Sequence, residues 1–151
     1  MNKAFCWLSR KTAKQGRGGE AMKELTVITP NKPGVIASIS SELGAKRINI
    51  ESISTEVSGD TGVIHIITRD GNKARKLIES LGYKVVDSDI LVLRLQDRPG
   101  ELAKVSSQLA ENGVNIENVY MLSKERSSTL LALKVDNMKR AATLLRDYIK
   151  K

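Results

Sequence analysis

One cysteine, Cys6, and one histidine, His65, are all that the 151 residues hold of either type. A lone cysteine allows no disulfide within a chain, so the core alone must hold the fold, and a reducing, cytoplasmic setting is expected. The same scarcity rules against zinc sites, and no metal or other cofactor is expected. No histidine stands near a nucleophile and a carboxylate, and no glycine-rich phosphate loop occurs, so catalysis is not expected either. Aromatic residues make up 3% of the chain; Phe5 and Trp7 fall near the start, which leaves three tyrosines for the remainder. That is too few to build the stacking platforms of single-strand nucleic-acid binders. No apolar run approaches the roughly 18 residues of a membrane span. Ala4 to Leu8 is likewise too short for the apolar stretch of a secretory signal.

Charge is not scarce. The net charge is +8, and residues 1–21 carry half of it: Lys3, Arg10, Lys11, Lys14 and Arg17 against Glu20 leave +4 there. Across the body the two signs are interspersed, as on an ordinary solvated surface, which argues against nucleic acid as a partner. The first 21 residues lack helix or strand periodicity and read as a disordered basic tail. Gly18-Gly19-Glu20 before Met22 is also what a purine-rich ribosome-binding sequence would encode, so Met22 is an alternative start.

From Met22 onward the chain repeats itself at an offset of sixty-six residues. Asn31-Lys32-Pro33-Gly34 returns as Asp97-Arg98-Pro99-Gly100, and Asn49-Ile50-Glu51 as Asn115-Ile116-Glu117. Between these anchors Ala37 falls on Ala103, Ser40 on Ser106, Leu43 on Leu109, and Ile36, Ile39 and Ile53 on Leu102, Val105 and Val119. A repeat longer than solenoid periods implies two small domains, 22–88 and 89–151.

Within each, one order of elements is legible. Leu25 to Thr29 is β-rich, and Pro33 has the φ suited to a first helical turn. Ile36, Ile39 and Leu43 supply that helix with a buried face, and Gly44 is a natural stop. Ile48 to Val57 reads as a strand whose alternation breaks at one point in both copies, which predicts a β-bulge in each. Ser58-Gly59-Asp60 turns it into Val63 to Thr68. A second helix carries Ala74, Leu77, Ile78 and Leu81, and Tyr83 to Val86 forms the last strand. The prediction is an α+β protein of two ferredoxin-like βαββαβ units in tandem. In the second unit most of the last strand is lacking, so Ile90 to Leu95 is an unpaired edge and a homodimer or larger assembly is expected.

A strand leading into Asn/Asp-basic-Pro-Gly, with Asn-Ile fifteen residues after the glycine, all of it twice, resembles a tandem pair of ACT domains. That resemblance covers residues 23–151. It implies a non-catalytic regulatory protein that binds a free amino acid at domain interfaces and modulates amino-acid metabolism. The implied ligand residues are Asn31, Lys32, Pro33, Gly34, Val35, Asn49 and Ile50 in the first copy. In the second they are Asp97, Arg98, Pro99, Gly100, Glu101, Asn115 and Ile116. It leaves open a regulatory subunit partnered with a metabolic enzyme, such as the small subunit of acetolactate synthase, whose Asn-Ile-Glu-Ser is matched by Asn49 to Ser52.

The chemistry of the loops suits a zwitterion. A helix start offers free N–H groups to a carboxylate, and glycine lets a ligand approach the backbone. Asp97 can meet an ammonium group where Asn31 offers only a neutral carbonyl, so the two sites should differ. Each feature also has a plain structural reading: Pro-Gly punctuates helix starts, asparagine caps and turns, and Lys32 and Arg98 are ordinary surface charges.

Overall fold

A computed structural model describes residues 22–149. The expectations for the tail lie outside the described residues. After Asp89 the chain divides into two compact units.

In the first unit β1 (Lys23–Pro30), α1 (Val35–Ala45), β2 (Ser52–Ser58), β3 (Thr61–Thr68), α2 (Gly71–Ser80) and β4 (Lys84–Asp89) follow in order. The sheet is antiparallel in the order β2-β3-β1-β4, the βαββαβ arrangement expected from the repeat. Period-two alternation sends Leu25 and Val27 of β1 to one face, where they meet Ile64 and Ile66 of β3 and Val85 of β4. Val35, Ile39 and Leu43 of α1 and Ala74 and Ile78 of α2 close this core from above.

Three local expectations change. Neither helix of the Pro-Gly loops begins at proline; α1 starts at Val35, with Gly34 as its N-cap. The buried face of α1 is therefore Val35, Ile39 and Leu43 at four-residue steps, and Ile36 is turned outward at 48% exposure. Gly44 lies inside the helix rather than ending it, and the turn is made by Arg47 with φ of 57°. Nor is there a bulge in β2, whose pairing with β3 runs without a slip from Ser52 opposite Ile67 to Ser58 opposite Thr61. Ile48 and Ile50 precede the strand, so the broken alternation of the sequence marks its entry.

The second unit consists of β5 (Leu91–Gln96), α3 (Glu101–Glu111), β6 (Ile116–Lys124), β7 (Ser128–Val135), α4 (Met138–Leu144) and α5 (Arg146–Ile149). Its sheet has three strands in the order β5-β7-β6. Here the register does shift, between Ile116 and Asn118 and again between Met121 and Ser123. Ala141, Leu145 and Tyr148 do not share one helix: it is broken at Leu145, which is fully buried in a cluster with Leu91, Leu93, Leu109 and Leu133. No fourth strand follows among the described residues; β5 pairs with β7 alone there, and α5 lies against it.

Candidate functional site

Each Pro-Gly loop is tied to the hairpin at its own end of the sheet. In the first unit the Asn31 backbone N–H donates to the Asp60 carbonyl at 2.8 Å, and the Asn31 side-chain amide donates to the Gly59 carbonyl at 3.2 Å. In the second the Asp97 N–H donates to the Ser127 carbonyl at 3.0 Å. Both glycines take left-handed backbone, φ of 94° at Gly34 and 90° at Gly100. A Cβ added to either would meet nothing within 4 Å. Glycine is thus required here by the backbone turn, and the space above it is open.

The loops differ in charge state. Lys32 is exposed, whereas Arg98 Nε donates to Glu101 Oε1 at 3.1 Å and Lys104 Nζ reaches the same oxygen at 2.7 Å. Hydrogen bonding from Lys104, and then from Arg98, holds the Glu101 carboxyl below the usual glutamate range. Asp97 is engaged as well: Thr129 Oγ1 donates to its Oδ1 at 3.3 Å, and Lys124 Nζ lies 3.1 Å from its Oδ2. The second loop is a network of paired ions, whereas in the first Lys32 is exposed and the Asn31 amide is bonded to the hairpin. This is the inequivalence expected of the two loops, with the second made less free than the bare Asp97 suggests.

Beside the second loop lies a cavity of about 740 Å³. Asp97, Arg98 and Glu101 line it together with Arg94 of β5 and Asp147 and Tyr148 of α5, while Asn115 and Ile116 do not.

The Asn-Ile pairs stand elsewhere. The Asn49 carbonyl accepts from Thr68 Oγ1 at 2.8 Å, and its amide donates to Glu51 Oε1 at 3.3 Å. Thr68 is the last residue of β3 and faces Lys23, the first of β1, whereas the loop follows Pro30 at the other end. The eleven residues of α1 separate the two, about 16 Å of helix at 1.5 Å per residue. In the second unit Asn115 exchanges bonds with Asp136 beyond the end of β7, again opposite to Asp97 and Arg98. The structure therefore groups Asn31, Lys32, Pro33, Gly34 and Val35 at one end of a unit and Asn49 and Ile50 at the other. It divides the second set in the same way. Within one unit, a loop and an Asn-Ile pair are too far apart to touch one free amino acid.

Two features were missed in the sequence. The repeat pair Ile36 and Leu102 is 48% and 44% exposed, and the repeat pair Ile53 and Val119 is 43% exposed in both copies, so each unit shows apolar side chains on its first helix and edge strand. The sequence signal was the alignment itself, which paired these positions but could not say which way they face. The other is Glu24, fully buried on the sheet face away from the helices, where it accepts from Thr26 Oγ1 at 3.0 Å and lies 3.3 Å from His65 Nδ1. His65 lies on that same sheet face. Glu24 has the same side-chain parity and could have been found by counting along β1.

Among the described residues no three His, Cys, Asp or Glu side chains could hold a metal ion, and no helix is long and apolar enough to cross a membrane. The ACT domain family matches residues 23–82. No curated protein matches the chain significantly. Among solved structures, a protein from Bacteroides thetaiotaomicron is 26% identical with a TM-score of 0.75, covering 83% of this chain and 86% of its own. The regulatory subunit of aspartate kinase from Thermus thermophilus, in ligand-free form, is 17% identical with a TM-score of 0.64, over 85% of this chain and 93% of its own. The aspartokinase alpha and beta subunits give 20% identity and a TM-score of 0.59, over 87% and 95%.

Proposed function

With residues 23–82 an ACT domain, we propose that this chain is a non-catalytic regulatory protein that binds a free amino acid between ACT-type units and thereby modulates amino-acid metabolism. The observation that carries the reading is the division of each candidate site between opposite ends of a unit. A ligand bridging a Pro-Gly loop and an Asn-Ile pair then reports on how two units are arranged, which is what a regulator must sense. Open space over Gly34 and the free helix start behind it suit a carboxylate, and the Asn49 amide can both donate and accept. The exposed apolar pairs Ile36 and Ile53, and Leu102 and Val119, are the side chains such a unit-to-unit contact would cover. Assembly of chains into a homo-oligomer belongs to this reading.

A second reading, a regulatory subunit that works on a separate enzyme chain, is favoured by coverage. The chain spans 93% of the Thermus thermophilus protein named as the regulatory subunit of aspartate kinase. Thermal-shift screening against the twenty amino acids, followed by calorimetry, tests the ligand. At least one amino acid should raise the melting temperature by mass action, and no binding to any of them refutes the proposal. Affinity purification from the native host tests the second reading, which requires an enzyme subunit to accompany the chain.

A further inference from the structure

We propose that the amino acid at the second loop is gripped from within its own unit, by the Asp147 carboxylate on its ammonium group and the Arg98 guanidinium on its carboxylate. This rests on the amino-acid reading above and adds to it a residue that the repeat did not supply. Asp97 is the acid that the loop offers for an ammonium, yet its oxygens are already met by Thr129 Oγ1 at 3.3 Å and Lys124 Nζ at 3.1 Å. The task falls to another carboxylate.

The cavity of about 740 Å³ beside the loop holds one. Of the other ionised side chains that line it, Arg94 donates to Glu125 Oε2 at 3.2 Å and to Ser128 Oγ at 3.0 Å, while Glu101 is shared by Arg98 and Lys104. Asp147 is exposed, and among the described residues no hydrogen bond or ion pair engages it. A cavity whose one unpaired ion is an anion calls for a cation from its ligand. Arg98 supplies the complementary half: its Nε is bonded to Glu101, and the side chain is 61% exposed, so its Nη groups present the N–H fork that suits a carboxylate. An acid and a base on one cavity select a zwitterion, and the volume lies within the range of small-molecule sites.

The break in the last helix is what puts Asp147 there. Leu145 is buried in the core of the unit and ends α4, and α5, which carries Asp147 and Tyr148, lies against β5. The first unit is built differently at this place. Its loop bonds to the Asp60 carbonyl where the second bonds to Ser127, so the second hairpin has gained one residue and the offset beyond it is sixty-seven. That offset pairs buried Ala74 and Ile78 with Ala141 and Leu145, and it sets Ser80 and Leu81 where the second copy has Asp147 and Tyr148. Ser80 Oγ is turned to the Leu77 carbonyl at 2.6 Å. Lys32, in place of Arg98, is a point charge without the planar fork. The acid-and-base grip thus belongs to the second unit, and the two loops differ in what they ask of a ligand.

Calorimetry on the full chain tests this, with each of the twenty free amino acids and, for each one that binds, the same acid carrying hydrogen in place of its amino group. Asp147→Asn keeps the size of the side chain and removes its charge at an exposed position, so the melting temperature should stay within a degree or two. It should weaken amino-acid binding at one site by about tenfold or more, the loss expected for one charged hydrogen bond. The amino-free acid should bind the unsubstituted chain more weakly at that site by a similar factor, and Asp147→Asn should cost it nothing further. Equal amino-acid affinity with and without Asp147→Asn overturns the grip and leaves the regulatory reading standing. No binding of any of the twenty to the unsubstituted chain overturns both. Should Asp147→Asn fail to fold, Asp147→Ser carries the same comparison.

Discussion

Gly34 and Gly100 occupy a backbone region that L-residues enter at a cost of about 1–2 kcal/mol. Gly44, by contrast, sits inside α1 with nothing within 4 Å of an added Cβ. The two kinds of glycine should respond with opposite signs. Gly34→Ala and Gly100→Ala should each destabilise by about 1–2 kcal/mol, and Gly44→Ala should stabilise by about 0.5–1 kcal/mol, as read by urea denaturation. A second prediction concerns Glu101, whose carboxyl is held low by Lys104 and Arg98. Because its pKa is depressed in the folded state, its contribution is present above the ordinary value of about 4.5 and is lost as pH falls through the folded value. Glu101→Gln should flatten the fall in stability over that acid range, checked by melting temperature against pH. Equal acid sensitivity in both proteins would show that the Arg98-Glu101-Lys104 cluster is not a stabilising unit.

At the scale of the element, the first helix shows what periodicity can and cannot resolve. Val35, Ile36, Ile39 and Leu43 are all apolar, and both the i, i+3, i+7 set and the i, i+4, i+8 set make an apolar stripe. The helix start decides between them, and that start is governed by the φ of Gly34, which no periodicity shows. The consequence is measurable. Leu43 is fully buried, so Leu43→Ala should cost about 2–5 kcal/mol. Ile36→Ala should change stability by about 0.5 kcal/mol or less, in keeping with a surface position. Equal losses in a denaturation series would mean that Ile36 is buried within its own unit. The strands were easier to find than their bounds: β3 and β5 stand close to where their β-rich runs put them. The entry to β2 was read as a bulge because Ile48 and Ile50 contact the core from the loop before the strand.

At the scale of the whole molecule, loop and Asn-Ile pair lie at opposite ends of each unit, so on the proposed reading a ligand that touches both would couple separate units. Asn49→Ala or Asn115→Ala should therefore abolish the stabilisation conferred by the amino acid at its own site. Both residues are exposed, so the ligand-free melting temperature should move by no more than a degree or two, as surface changes do. A saturating ligand at about 100 times its Kd should add about 2.7 kcal/mol to the unsubstituted protein. Differential scanning calorimetry with and without ligand checks both.

What the sequence determined by itself was the duplication, the order of elements and the residue types of both loops. These are local or translational properties, carried by hydrophobic period, by proline and glycine, and by a constant offset. The place of β5 at a sheet edge among the described residues followed from the same counting. Tertiary structure alone decided which side of α1 is buried, that Asp97 and Arg98 are already engaged by Lys124, Thr129 and Glu101, and that the two parts of each candidate site lie a helix length apart. Each of these depends on distances between residues remote in the chain. Such distances come from the packing of helices on the sheet, and the one-dimensional order of residues does not contain them.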